Sequence, residues 1–252
     1  SLQTVSYSDT TWALLFNAAE GSVFQNQQLR QALAGIAREN ATVPSGGLYA
    51  AAKGLVPEGL TVDGLDYRDA AGDPLPTISE PKALYLAARQ GMATSDFSGV
   101  TLLLPKSAGL TELADQINSA WQKECSLFFS VEEVEQDEFD ARIAAGKYTI
   151  ALAPIRAEGG SVYQMLQQFT TAGGSLTGYA DPVYADRLAL SAQQTGKDRC
   201  ALLAQCERQL LESCTVVPLM AQQKRLLLAN GVRDLVFDPF FPVLDLTWAK
   251  MS

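Results

Sequence analysis

Two adjacent pairs of carboxylates, Glu132-Glu133 and Asp137-Glu138, have the type and spacing for acid–base work, since paired carboxyl groups can share the roles of proton donor and acceptor. They lie in charge-rich segments read as helix starts. There a solvated carboxylate simply complements the helix dipole, and that is the expected role. The sequence has no histidine. Its absence removes Ser-His-Asp hydrolysis, Cys-His proteolysis, imidazole metal ligation and the commonest general base. Cys125, Cys200, Cys206 and Cys214 include no C-x-x-C pair. Cys200 and Cys206 fall on roughly opposite faces of a helical segment, so structural zinc is not expected. Buried reduced thiols are expected, and a disulfide through Cys125 or Cys214 stays open if the protein is exported. Gly173-Gly174-Ser175 is too short for a phosphate loop. No catalytic residue, metal ligand or cofactor follows from these residues, and the chain reads as a non-enzyme.

The elements that would position a site follow from the apolar pattern. Thr11 to Phe16 is a β-prone run, and Asn26 caps a helix reaching Glu39 with Leu29, Leu33 and Ile36 on one face. Residues 40–78 are punctuated by Gly and Pro and read as a long surface excursion with little regular structure. A helix follows from Lys82 to Gln90. Strands Val100–Leu104, Leu127–Val131 and Tyr148–Ala153 then alternate with helices through Leu113, Ile117 and Trp121 and from Phe139 to Ala145. Alternation of this kind predicts parallel strand pairs with helical crossovers, and the continuous apolar runs predict strands covered on both faces. Helices near Val162–Phe169, Pro182–Gln194 and Asp198–Ser213 come next, and Thr215–Leu219 and Arg225–Ala229 close the sheet. In such a sheet ligands gather beyond the carboxyl ends of strands. That places Ile155, Arg156, Glu158 and Gly159, just after Tyr148–Ala153, at the candidate site. Arg156 and Glu158 read equally as solvated loop charges. Trp12, Tyr163, Tyr179 and Trp248 could wall a ligand, but core packing explains them as well.

Composition bounds the function. The 252 residues are 47% apolar with a formal net charge of −9, which describes a globular chain without the basic surface that nucleic acid needs. No apolar stretch approaches the length of a membrane span. The chain starts at Ser1 with neither an initiator Met nor a signal peptide, and so reads as a piece of something longer.

The segment Leu29-Arg30-Gln31-Ala32-Leu33-Ala34-Gly35-Ile36-Ala37-Arg38-Glu39 resembles the R-Q-A-(x)3-A segment that opens the second lobe of family 5 extracellular solute-binding proteins. These are receptors of peptide, dipeptide and nickel ABC transporters. Further segments match the family in the same order. Leu113 to Val131 is similar to its amphipathic helix and strand, with Cys125 where glycine is usual. Glu138-Phe139, Gly146, Tyr148 and Ala151 resemble its E-F…G-x-Y unit. Gly178-Tyr179-Ala180-Asp181-Pro182-Val183-Tyr184-Ala185-Asp186 resembles its G-Y-x-N/D-P turn. Val217-Pro218-Leu219 and Gly231-Val232-Arg233-Asp234-Leu235 resemble its closing strand and tail.

The resemblance implies an α/β fold with a mixed sheet flanked by helices, one lobe of a two-lobe periplasmic-binding-protein-like (type II) fold. Residues 1–252 would form that single lobe, and residues 231–252 a tail that returns to the first lobe. It implies a short peptide or other small polar solute as ligand, hinge closure, and partners in the first lobe of the same protein and an ABC permease. It also implies an extracellular or periplasmic place, with a lipoprotein anchor upstream of Ser1. The family's ammonium-binding W-x-A-D-Y loop corresponds to Ile155–Val162, where Glu158 would replace the Asp. The Trp, Tyr and Pro of that loop are missing, and Arg156 adds a positive charge. Half a cleft predicts weak ligand binding. The apolar run Leu235–Leu244 predicts a tail folded back or paired with a second copy. Arg30 is expected to tie its helix to a loop through a carboxylate, Asp181 with Pro182 to start a helix, and Asp186 to be a surface charge. A solute-sensing module of a cytoplasmic transcription regulator is the alternative.

Overall fold

The structure, a computed structural model, describes residues 2–229, 232–233, 236–237, 244–245 and 250–251, with side chains described for residues 6–225. In chain order the elements are β1 (Leu2–Phe16), α1 (Gln27–Asn40), β2 (Tyr49–Ala51), β3 (Thr61–Val62), β4 (Leu65–Asp66), α2 (Tyr67–Ala71) and α3 (Pro81–Arg89). There follow β5 (Thr101–Pro105), α4 (Thr111–Cys125), β6 (Ser130–Val134), α5 (Gln136–Ala144), β7 (Ile150–Arg156), α6 (Val162–Gln167), α7 (Pro182–Ser191), α8 (Gly196–Glu212) and β8 (Val216–Ala229). The main sheet has the order β2-β8-β1-β7-β5-β6. Within it β5 is parallel to β6 and β7, while β1 is antiparallel to β7 and β8. The sheet is therefore mixed.

Its strands are apolar at successive positions because both faces are covered. Trp12, Leu14 and Phe16 of β1, Leu102 and Leu104 of β5, and Ile150 and Leu152 of β7 point into a core built with α1, α3 and α4. The alternate residues Ala13, Leu15, Leu103, Ala151 and Ala153 point into a second core with α2, α5, α6, α7 and α8. In α1, Asn26 Oδ1 accepts from Leu29 N at 3.1 Å, and Leu29, Leu33 and Ile36 are buried.

Several sequence expectations are corrected. The first strand begins at Leu2, not Thr11, because its polar first half pairs with β8 in a two-stranded ribbon that runs beyond β7. The two closing runs are one strand, β8. Pro218 fits within it because the register shifts by one residue between Trp12 and Ala13, and a bulge tolerates a missing ladder donor. β6 lies three residues later than expected. Leu127 and Phe129 are instead buried in the loop after α4, where Asn118 Oδ1 accepts from Phe129 N at 2.9 Å and Asn118 Nδ2 donates back to Phe129 O at 2.5 Å. Consequently Glu132 and Glu133 stand on an edge strand, not a helix start. Glu132 pairs with Arg142 at 2.9 Å, and Glu133 accepts from Thr111 Oγ1 at 3.0 Å. Such charges suit an edge strand.

The excursion over residues 40–78 is less superficial than its composition predicts. β2 joins the sheet edge, β3 and β4 form a hairpin, and Leu55, Val56, Leu60, Tyr67 and Ala71 are buried in the second core. Residues Gly231, Asp234 and Leu235, most of the run Leu235–Leu244, and Trp248 lie outside the described residues. The expectations for the tail's docking concern these residues and so lie outside the described ones. Backbone pairing is described for Val232–Arg233 with Lys250–Met251 and for Val236–Phe237 with Leu244–Asp245. All four cysteines are free and buried, and burial pushes the thiols of Cys125 and Cys214 up to about 11 and that of Cys206 up to about 12. Among the described residues no helix is long and apolar enough to cross a membrane.

Candidate functional site

The carboxyl ends of the parallel strands β5, β6 and β7 meet at one edge of the sheet, and β7 runs out there into Arg156 and a short turn over Glu158–Gly160. Gly159 sits at φ 58° and Gly160 at φ 68°, a left-handed pair that reverses the chain over this edge. Beside the turn lies a pocket of about 240 Å³ lined by Ile155, Arg156 and Glu158, by Gln136, Phe139 and Asp140 of α5, and by Gln168. Three of the four sequence candidates thus share one cavity, with Gly159 in the adjoining turn. Ile155 is buried and forms part of the apolar floor, whereas Arg156 and Glu158 are exposed. The two charges do not pair with each other, and among the described residues neither side chain has an ion-pair partner. Gln168 Nε2 donates to Arg156 O at 3.1 Å, which holds the end of β7 against α6.

The sequence reading missed the other side of this edge. Ala157 N donates to Asp9 O at 2.9 Å, so the middle of β1, where the strand leaves β7, runs directly beside the turn. Asp9 accepts from Thr10 Oγ1 at 2.7 Å and pairs with Lys224 of β8 at 2.5 Å. Both strands of the ribbon are therefore fastened where they leave the sheet, next to an irregularity between Tyr7 and Thr10. Bulges commonly re-aim side chains next to binding sites. The polar run Ser6-Tyr7-Ser8-Asp9 hid the strand, and no local signal connects Asp9 to a lysine 215 residues away.

The arrangement offers a carboxylate and a guanidinium at one pocket, and among the described residues that line it no nucleophile stands beside a base. Among the described residues no cluster could hold a metal ion. The acid–base candidates do not gather here. Glu132 is held below its ordinary carboxylate range by Arg142, and it stands on the sheet's far edge strand. A larger depression of about 690 Å³ lies between α1, α3 and α4, but its lining of Glu39, Glu80, Glu124 and Lys82 is on the outer helical face, away from the strand ends.

The three motif residues sit elsewhere. Arg30 is buried, and its acceptors are backbone carbonyls, not the expected carboxylate: Ser213 O at 2.9 Å, Phe24 O at 2.6 Å and Gln25 O at 3.1 Å. Asp181 accepts from Val183 N at 2.8 Å and Tyr184 N at 3.2 Å, with Pro182 in the first turn of α7. Its other oxygen accepts from Tyr179 Oη at 3.0 Å and Gln209 Nε2 at 2.8 Å. Asp186 is exposed. Burial alone would raise the pKa of Asp181, but hydrogen bonds from Tyr184 N, Tyr179, Gln209 and Val183 N outweigh it and hold the value low. A carboxylate with a lowered folded pKa adds stability above its unfolded pKa and loses it as pH falls through the folded value. Asp181→Ala should therefore cost about 1–2 kcal/mol at neutral pH. In urea melts, the gap to the parent should narrow as the pH is taken below the ordinary aspartate range. A gap independent of pH would contradict the charged cap.

Solved structures share this architecture. The substrate-binding domain of an oligopeptide ABC transporter from Bacillus anthracis superimposes with a TM-score of 0.77 at 17% identity, covering 99% of this chain and 51% of its own. Peptide-bound OppA of Listeria monocytogenes gives 0.77 at 20% identity, over 99% of this chain and 50% of its own. This chain has the fold of one lobe of a two-lobe solute-binding protein. A peptide ABC transporter's peptide-binding protein gives 0.71 at 18% identity, covering 86% of this chain and all of its own. The chain thus spans about half the length of the first two structures. They are proteins of the kind that the sequence motifs resemble. No protein-family model matches the sequence, and no curated protein matches it significantly.

Proposed function

We propose that this chain is the ligand-facing lobe of a receptor for short peptides or a similar small polar solute. The observation that carries the reading is the exposed pair Glu158 and Arg156, without ion-pair partners among the described residues, at the carboxyl edge of the sheet beside the ribbon of β1 and β8. Glu158 serves as anion for a ligand ammonium group, and Arg156 as cation for a ligand carboxylate or carbonyl. The ribbon is the connection to a first lobe of the same protein, residues 231–252 return to that lobe, and closure about the ribbon buries the ligand between the two. The closed receptor docks on an ABC permease, and it works outside the cytoplasmic membrane through a lipoprotein anchor or in a periplasm. Its work is binding, not turnover.

Titrating a mixture of short peptides into the ¹⁵N-labelled chain tests this. Shifts should centre on the amides of Gly159 and Gly160, with weak affinity because only one wall of the cleft is present. Glu158→Gln should weaken binding about tenfold, which is the ~1.4 kcal/mol by which a charged hydrogen bond exceeds a neutral one. Undiminished binding by that variant would remove Glu158 from the site, and peptide shifts located elsewhere would remove the site itself.

The four free buried thiols favour a second reading, a solute-sensing region of a cytoplasmic transcription regulator. A reporter fused to the full coding region separates the two, since only the receptor carries the reporter across the membrane.

A further inference from the structure

Arg30 and Glu207 are the two charged residues buried among the described residues, and they are compensated differently. Glu207 has Arg68 at 3.0 Å. Arg30 has no carboxylate within ion-pairing distance among the described residues. Its Nε and Nη1 donate to the carbonyls of Ser213, Phe24 and Gln25, which occupies three of five guanidinium N–H groups. Burial lowers its pKa, and the groups acting against that are Cys214 and Tyr179. Both stay neutral at physiological pH, because burial raises the thiol and the phenol in turn. A buried charge without a counter-ion is costly.

The remaining amino group, Nη2, has no hydrogen-bond acceptor among the described residues, and it is not one of their fully buried unpartnered side-chain atoms. Arg30 lines an open pocket of about 390 Å³ together with Gln25, Gly178, Tyr179, Ala180 and Thr215. The wall is firmly set. Gly178 sits at φ 65°, and a Cβ there would fall 2.7 Å from Ala19 N. Ala18 N also donates to Thr177 O at 2.7 Å, clamping the 175–180 turn onto the end of β1. Strand pairing puts Thr10 opposite Arg156 and Phe16 opposite Ile150, so this pocket is at the other end of the sheet from the peptide-facing edge.

We propose that this pocket is a second binding site, taking a small singly charged carboxylate on Nη2 of Arg30. Exposed Glu20 at the rim and the carbonyl end of α8, from which Ser213 O reaches Arg30, disfavour a more highly charged oxyanion such as phosphate. The carboxylate completes the guanidinium's fork and supplies the missing counter-charge. The site is independent of the peptide-facing edge.

Acetate titrated into the ¹⁵N-labelled chain against chloride at constant ionic strength tests the proposal. Saturable shifts should appear at the amides of Gly178, Tyr179 and Thr215, with phosphate binding more weakly. Exposed Ala180 permits a variant that leaves Arg30 in place. Ala180→Glu puts a tethered carboxylate in the pocket and should weaken acetate binding at least about tenfold, while the neutral control Ala180→Gln retains it. Glu158→Gln should change nothing here. Shifts that never saturate at these amides, or acetate binding that survives Ala180→Glu, overturn the site. Tighter binding of phosphate than of acetate overturns the assigned ligand class.

Discussion

Glu207→Ala should destabilise the protein by about 3–5 kcal/mol, because removing one partner of a buried ion pair strands the other. Glu207 lies on α8 with its side chain fully buried. One oxygen accepts from Val56 N at 2.9 Å and Arg68 Nη2 at 3.0 Å, and the other from Tyr67 Oη at 2.9 Å. Three donors of the 40–78 excursion therefore converge on one carboxylate. Gly54 belongs to the same device: a Cβ there would stand 2.6 Å from Glu207 Oε1 and 2.7 Å from Arg68 Nη2. The loss should appear in urea melts, and limited proteolysis should cut first within residues 52–72. Glu207→Gln keeps acceptor and shape while removing the charge, and should cost less than the alanine variant. If the alanine variant melts within about 1 kcal/mol of the parent, the excursion is held by its apolar residues and not by this carboxylate.

Arg30→Ala should cost about 3 kcal/mol, since three carbonyls lose their donor and each buried unsatisfied acceptor costs about 1–3 kcal/mol before water from the adjacent pocket offsets part of it. Arg30→Lys should recover less than half of that. An ammonium on a flexible stem cannot reach three acceptors arranged for a planar fork. Equal stability of the lysine variant and the parent would mean that charge alone, not fork geometry, ties α1 to the end of α8.

The two buried charges also show where sequence reasoning stopped. Arg30 stood out by its motif, but its partners are carbonyls, and a carbonyl leaves no mark on side-chain identity. Glu207 did not stand out at all, because its donors are a backbone amide, a tyrosine and an arginine some 140 to 150 positions away. The same holds at the candidate edge. That Ile155, Arg156 and Glu158 come together at one pocket was legible, because they lie at and just beyond the carboxyl end of an apolar strand. Asp9 and Lys224 were not, because a polar strand half and a bulge give no periodic signal.

Local sequence by itself determined the alternation of apolar strands and amphipathic helices, the caps at Asn26 and Asp181, and the exclusion of histidine chemistry. These depend on side-chain type and on spacings of a few residues, and so on interactions that close within one or two turns. Only the tertiary structure decided that β1 and β8 run as one long ribbon, that the Gly- and Pro-rich excursion packs into the second core, and that Arg30 has no carboxylate partner among the described residues. Each of these depends on pairings between distant segments, whose geometry is set when the layers pack and the buried groups must find whichever donors and acceptors arrive beside them.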